Sequence, residues 1–185
     1  MSNLAHISDE VLMSSLQKGD ESAFNELYDR YSNRILYYMY KMLRQDEAKS
    51  QDFTQDVFLK VIESADKFDT SKNFKTWIFT IAANHCKNYF RGNKQMLDIE
   101  DTDTPEPSYD STTINYEQQE FRMQLNNELD KLSASYKETF MLRHHEGLKL
   151  KEIAEILNCP LGTVKSRLNF VTQQLAEKLK AFHLL

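Results

Sequence analysis

The sequence predicts an all-α chain of two small helical domains joined by an acidic linker. Three observations carry this. Apolar residues recur at three- and four-residue spacing, the period of one helix face, and no stretch of any length alternates as a strand does. The 185 residues include only four Gly and three Pro, which suits helices with few tight turns. The periodicity breaks over residues 97–116, "LDIEDTDTPEPSYDSTTINY", where two prolines, four threonines and many acids collect. The expected organisation is a first domain over 1–96, a linker over 97–116 and a second domain over 117–185.

Taken in order, residues 9–18 form a short amphipathic helix that stops at Gly19. Asp20 then caps a long helix whose apolar face is Phe24, Leu27, Tyr28, Tyr31, Ile35, Met39 and Met42. A third helix, 47–64, turns Phe53, Val57 and Val61 inward and leaves Asp52, Gln55, Asp56 and Glu63 on its other face. Asp69, Thr70 and Ser71 are turn and cap residues and place a loop before the fourth helix. That helix has Phe74, Trp77, Ile78, Ile81, Ala82, His85 and Tyr89 on its apolar side. Its opposite stripe, Thr80, Asn84, Lys87, Asn88 and Arg91, interleaves amides with bases, which suits phosphates and base edges. Beyond the linker, one helix runs to about Lys131 and another ends at Gly147.

The last stretch, "LKLKEIAEILNCPLGTVKSRLNFVTQQLAEKL", reads as a helix-turn-helix, a device that places its second helix in the major groove. Ala154 is small enough for close helix approach, and Leu157 and Cys159 point into the corner. Asn158 tolerates a left-handed backbone and Pro160 presets the start of the second helix. Val164, Leu168, Val171 and Leu175 form its buried stripe. Thr163, Ser166, Arg167 and Phe170 lie on or near the outer face, flanked by Lys165 and Asn169.

Bulk properties bound the rest. Apolar residues at 41% and charged residues at 28% fit a globular protein. No apolar stretch reaches the ~18 residues of a membrane helix. "MSNLAHISDE" lacks the basic start and apolar core of a signal peptide, so the expected compartment is the cytoplasm. Cys86 and Cys159 are far apart, with no CxxC and no histidine at ligand spacing, and read as reduced thiols; no metal or cofactor is expected. The adjacent His144 and His145 point two ways on a helix and are not a ligand pair.

The net charge of −5 hides a segregation. Residues 72–97 carry Lys72, Lys75, Lys87, Arg91 and Lys94 and no acid. Residues 160–180 carry Lys165, Arg167, Lys178 and Lys180 against Glu177 alone. Between them, 98–120 holds eight acids and no base, and the rest of the chain sums to +3.

Four segments in order resemble the extracytoplasmic-function sigma factors of bacterial RNA polymerase: "KGDESAFNELYDRY", "DFTQDVFLKVIESADKF", "FKTWIFTIAANHCKNYFR" and "GLKLKEIAEILNCPLGTVKSRL". The resemblance implies an alternative sigma factor that catalyses nothing itself. It implies docking on the large-subunit clamp coiled coil through Asp52, Gln55 and Asp56, and further contact with the polymerase flap. It assigns −10 recognition to Phe68, Lys72, Phe74, Asn84, Lys87, Asn88 and Arg91, with the loop Lys67 to Asn73 capturing an extruded base. It assigns −35 recognition to Thr163, Lys165, Ser166, Arg167, Asn169 and Phe170. Where many relatives show further arginines, this chain has "NFVTQQL", so Phe170 suits a thymine methyl and cannot hold a phosphate. An anti-sigma partner is also implied. The acidic linker reads either as a nucleic-acid mimic in a basic channel or as a tether extended by charge repulsion.

Two other readings make different demands. A dimeric DNA-binding regulator gives no reason for the fourth helix's polar stripe or for the linker. A metal-dependent hydrolase built on Asp52, Asp56 and Glu63 lacks a second acidic helix or a ligand histidine.

Overall fold

The computed structural model describes residues 4–44, 46–92 and 116–180. Among them are eight α-helices and no strand: α1 (Asp9–Leu16), α2 (Glu21–Met42), α3 (Glu47–Glu63), α4 (Phe74–Gly92), α5 (Tyr116–Asp130), α6 (Ala134–His144), α7 (Leu150–Leu157) and α8 (Leu161–Lys178). The chain divides into two compact units, the first carrying α1 to α4 and the second built on α5 to α8. The linker expected over 97–116 lies outside the described residues except for Tyr116, which begins α5.

In the first unit, α2 packs against α1, α3 and α4. The reversal from α1 to α2 is encoded locally. Gly19 sits at φ 88°, its N–H bonds the Leu16 carbonyl at 2.9 Å, and the Asp20 N–H reaches the Ser15 carbonyl at 3.1 Å. This pair of bonds satisfies the last carbonyls of α1, and only glycine takes that backbone without strain. The Asp20 carboxylate immediately accepts from the Ser22 N–H at 3.0 Å and starts α2. Asp46 does the same for α3, accepting from the Lys49 N–H at 3.0 Å. Leu27, Tyr31, Ile35, Tyr38 and Met39 of α2 and Val57, Phe58 and Val61 of α3 are all buried in the core of this unit.

The inward face of α4 is rotated from the one expected. Phe74, Ile78 and Ala82 are buried as anticipated, whereas Trp77, Ile81, His85 and Tyr89 are only half-buried. Phe79, Ala83 and Cys86 take the interior instead. The small side chains explain the choice. Ala82, Ala83 and Cys86 let α4 lie close to α2, where Cys86 Sγ is 3.5 Å from Met39 Sδ and the Phe79 ring meets Tyr38 edge-on at 5.6 Å.

In the second unit, Leu129, Val171 and Leu175 form a core against which Leu125, Leu132, Tyr136, Phe140 and Leu179 pack. The Glu152 carboxylate accepts from the Lys149 N–H at 2.6 Å and fixes the start of α7. Asn158 adopts φ 49°, and the Cys159 N–H bonds the Ala154 carbonyl at 3.0 Å, so the expected left-handed turn closes α7. Pro160 then caps α8 from an extended backbone, with φ −58° and ψ 144°.

Candidate nucleic-acid interface

The loop before α4 is held from beneath by aromatic rings. Phe68 is 5% exposed and Phe74 0% exposed. Phe74 meets Tyr31 at 5.2 Å and Trp77 at 5.9 Å, and Phe68 lies 4.8 Å from Trp77. Phe68 and Phe74, which the resemblance assigned to −10 recognition, both have their rings packed in the core. What the loop exposes is polar, namely Asp69, Thr70, Ser71, Lys72 and Asn73.

Local bonds shape this exposed segment. The Asp69 carboxylate accepts from the Ser71 N–H at 3.0 Å, and the Lys72 N–H bonds the Asp69 carbonyl at 2.9 Å, closing a turn. The bond from the Ser71 side chain is the main cause holding the Asp69 carboxyl below its ordinary range. Asn73 Oδ1 accepts from the Thr76 N–H at 2.9 Å and begins α4. Along that helix Asn84, Lys87, Asn88 and Arg91 are all exposed, while Thr80 is half-buried. The Arg91 guanidinium donates to Asn88 Oδ1 at 3.2 Å. The result is an acid-free helix face that alternates amide and base. An amide offers both donor and acceptor to a base edge, and the bases suit phosphates.

On α3, Asp52, Gln55 and Asp56 are exposed on one stripe as expected. Sequence reasoning missed that the stripe continues through two apolar side chains, Leu59 at 57% and Ile62 at 49% exposure. The signal was present, since 52, 55, 56, 59, 62 and 63 share one helical face. Asp56 also reaches across the helix pair: its Oδ2 is 3.3 Å from His85 Nε2, and the His85 ring stands edge-on to Phe53 at 4.2 Å. Among the described residues, no group of three or more His, Cys, Asp or Glu side chains is placed to hold a metal ion.

On α8, Val164, Val171 and Leu175 are buried and Leu168 is half-buried. Lys165, Ser166, Asn169 and Phe170 are exposed, while Thr163 and Arg167 are half-buried at the edges. Phe170 does not stand alone. Its ring packs on Tyr136 of α6 at 4.8 Å and still leaves 48% of the residue open. From Leu168 to Ala176 the helix carries no Lys or Arg, so cationic contact is confined to its first turns and its end.

Known proteins share both the sequence and the architecture. The family model for sigma-70 region 2 matches residues 27–95, and that for sigma-70 region 4 matches residues 122–175. The chain is 30% identical over 172 residues to the ECF RNA polymerase sigma-E factor of Escherichia coli K12, covering 88% of this chain and 89% of that protein. It is 29% identical over 191 residues to the sigma-E factor of Haemophilus influenzae, covering 94% and 96%. Its fold resembles CnrH in complex with the cytosolic domain of CnrY, with a TM-score of 0.69 at 21% identity, covering 94% of this chain and 97% of that one. It likewise resembles the Bartonella quintana sigma factor RpoE bound to the anti-sigma factor NepR, with a TM-score of 0.69 at 24% identity, covering 85% and 96%. With regions 2 and 4 matched in order and relatives aligned over most of their length, the chain belongs to the extracytoplasmic-function sigma factors, the alternative sigma factors of transcription initiation.

Proposed function

We propose that the two units divide promoter recognition between them. The first domain, residues 1–96, docks on the polymerase clamp coiled coil through Asp52, Gln55 and Asp56, joined by Leu59 and Ile62. It reads and opens the −10 element with Lys72 in the loop and Asn84, Lys87, Asn88 and Arg91 on α4. Phe68 and Phe74 act there as the loop's floor. The second domain, residues 117–185, meets the flap and reads the −35 element with Thr163, Lys165, Ser166, Arg167, Asn169 and Phe170. Residues 97–116 connect them. The chain works in the cytoplasm, performs no catalysis of its own, and is a target for an anti-sigma factor, as RpoE of Bartonella quintana is for NepR.

The observation that carries this reading is the exposed, acid-free amide-and-base face of α4 on a chain whose net charge is −5. A net-negative protein does not hold DNA by bulk attraction. It does so with local basic faces, and two weak modules mounted on one polymerase gain effective concentration over either alone. Opening the −10 region costs a few kcal/mol per unstacked base, which the loop and α4 return through contacts to the extruded strand.

The two roles separate by mutation. Asp52→Lys with Leu59→Glu changes exposed side chains, so the fold stays intact while affinity for core polymerase drops in a pull-down or anisotropy assay. Asn84→Ala leaves core binding alone and shifts −10 selection by ~1–3 kcal/mol, the worth of a good base contact. Normal core binding by the first variant, or unchanged promoter choice by the second, refutes that assignment.

A further inference from the structure

Helix α1 has no role in the division of labour above, yet its side chains hold both ends of the −10 loop. The Gln17 amide donates two hydrogen bonds, to the Ala65 carbonyl at 2.9 Å and the Phe68 carbonyl at 2.8 Å, where the loop begins. The Glu10 carboxylate accepts from the Phe74 N–H at 3.1 Å, where the loop ends and α4 starts. These partners are 48, 51 and 64 residues away in sequence. Glu10 stands in the first turn of α1 and Gln17 is its C-cap, still in helical backbone, so the seven positions between them span about two turns and bring both to the same face. That helix is itself fixed: Leu12 and Met13 are buried, and Arg30 bonds Asp9 at 2.7 Å.

The bonds are of a kind that sets position. Gln17 adds a second donor to the Ala65 carbonyl, which already takes the Phe68 N–H of the 3₁₀ turn at 3.0 Å, and it also donates to the Phe68 carbonyl. Glu10 takes an N–H in the first turn of α4, where a negative charge also meets the positive end of the helix dipole. Between these two fastenings lie Asp69, Thr70, Ser71, Lys72 and Asn73, all exposed.

We propose that Glu10 and Gln17 are positioning residues for −10 recognition, and that α1 acts as a strut that sets the width and height of the base-capturing loop. The inference rests on the reading of that loop as the −10 element's receptor. It assigns a share of base selectivity to residues outside the proposed −10 contact set.

The test uses the full chain assembled with core polymerase and a promoter library randomised across the −10 element. Gln17→Glu keeps the side-chain shape but presents an acceptor to two carbonyls. Glu10→Met removes the acceptor and keeps the bulk, whereas Glu10→Gln keeps an acceptor oxygen. The expected result is a loss of −10 base preference of about fivefold or more, the lower end for one good base contact, in Gln17→Glu and Glu10→Met. Glu10→Gln restores the preference, and core affinity and −35 preference hold in all three. A purely structural role would lower them together. Unchanged −10 preference in both Gln17→Glu and Glu10→Met overturns the strut, and the Glu10 pair decides the matter should Gln17→Glu misfold. Ser71→Ala with Lys72→Ala is the control on the loop itself. If those change −10 preference and the α1 variants do not, only the strut fails. If neither does, the loop reading falls with it.

Discussion

Phe74 separates the core role of the loop aromatics from the −10 contact that the resemblance implied. The perturbation is Phe74→Ala. The side chain is fully buried and meets the rings of Tyr31, Phe68 and Trp77 at 5.2, 5.9 and 5.9 Å. A buried Phe→Ala change costs about 3–5 kcal/mol, and each edge-on ring pair contributes about 0.5–1.5 kcal/mol beyond area. A domain of this size has roughly 5–15 kcal/mol in all, and each kcal/mol lowers its midpoint by about 4–8 °C. The first unit should therefore melt at least ~12 °C earlier. Trp77, the only tryptophan, reports this directly because it lies against the mutated ring. Phe74→Leu keeps most of the bulk and loses the two edge-on ring pairs, so it should cost about 1–3 kcal/mol, less than Phe74→Ala, and retain −10 opening. An unchanged melting curve for Phe74→Ala together with lost promoter opening would refute the reasoning and return Phe74 to the DNA.

Two further outcomes follow from the second unit. Phe170 packs on Tyr136 and is half open, and the proposal that it reads a thymine methyl makes a direct demand: replacing −35 thymines with deoxyuridine should weaken binding about fourfold per methyl buried, the worth of ~0.8 kcal/mol. Phe170→Ala should bind both duplexes alike, and equal sensitivity in the two proteins contradicts the contact. His144 is exposed at its edge but has its ring against Phe140 at 4.4 Å, and this partial desolvation, then the nearby Arg143 charge, lowers the imidazole from its ordinary range. With the folded pKa below the unfolded one, the folded state binds fewer protons, so its stabilisation is whole above about pH 6.5 and is lost as pH falls further. The unfolding step seen by circular dichroism but not by Trp77 should move down between pH 7.5 and 5.5, and His144→Phe should flatten that slope. A slope unaltered by His144→Phe counts against it.

Where the code is local, the sequence was legible. Gly19, Asp20, Asn158 and Pro160 each mark a helix end, and each does so through its own backbone freedom or cap. The exposed stripe of Asn84, Lys87, Asn88 and Arg91 was equally readable, because polar residues at helical spacing have one natural place to go. The rotation of α4 was not. Its apolar surface is broad, and which edge is covered depends on how closely α2 approaches, which Ala82, Ala83 and Cys86 decide only in three dimensions. Phe68 and Phe74 misled for a related reason: a ring beside a loop has the same sequence signature whether it floors the loop or faces the ligand. The bonds from Glu10 and Gln17 span about half the first unit's length and leave no periodic trace.

Transcription in vitro tests the central claim most directly. Purified protein is mixed with sigma-free core polymerase and genomic fragments, and transcript 5′ ends are mapped. A sigma factor built as described yields new starts that share a two-part upstream motif, one part at −10 and one at −35. No new starts from a folded chain that fails to bind core polymerase would contradict it.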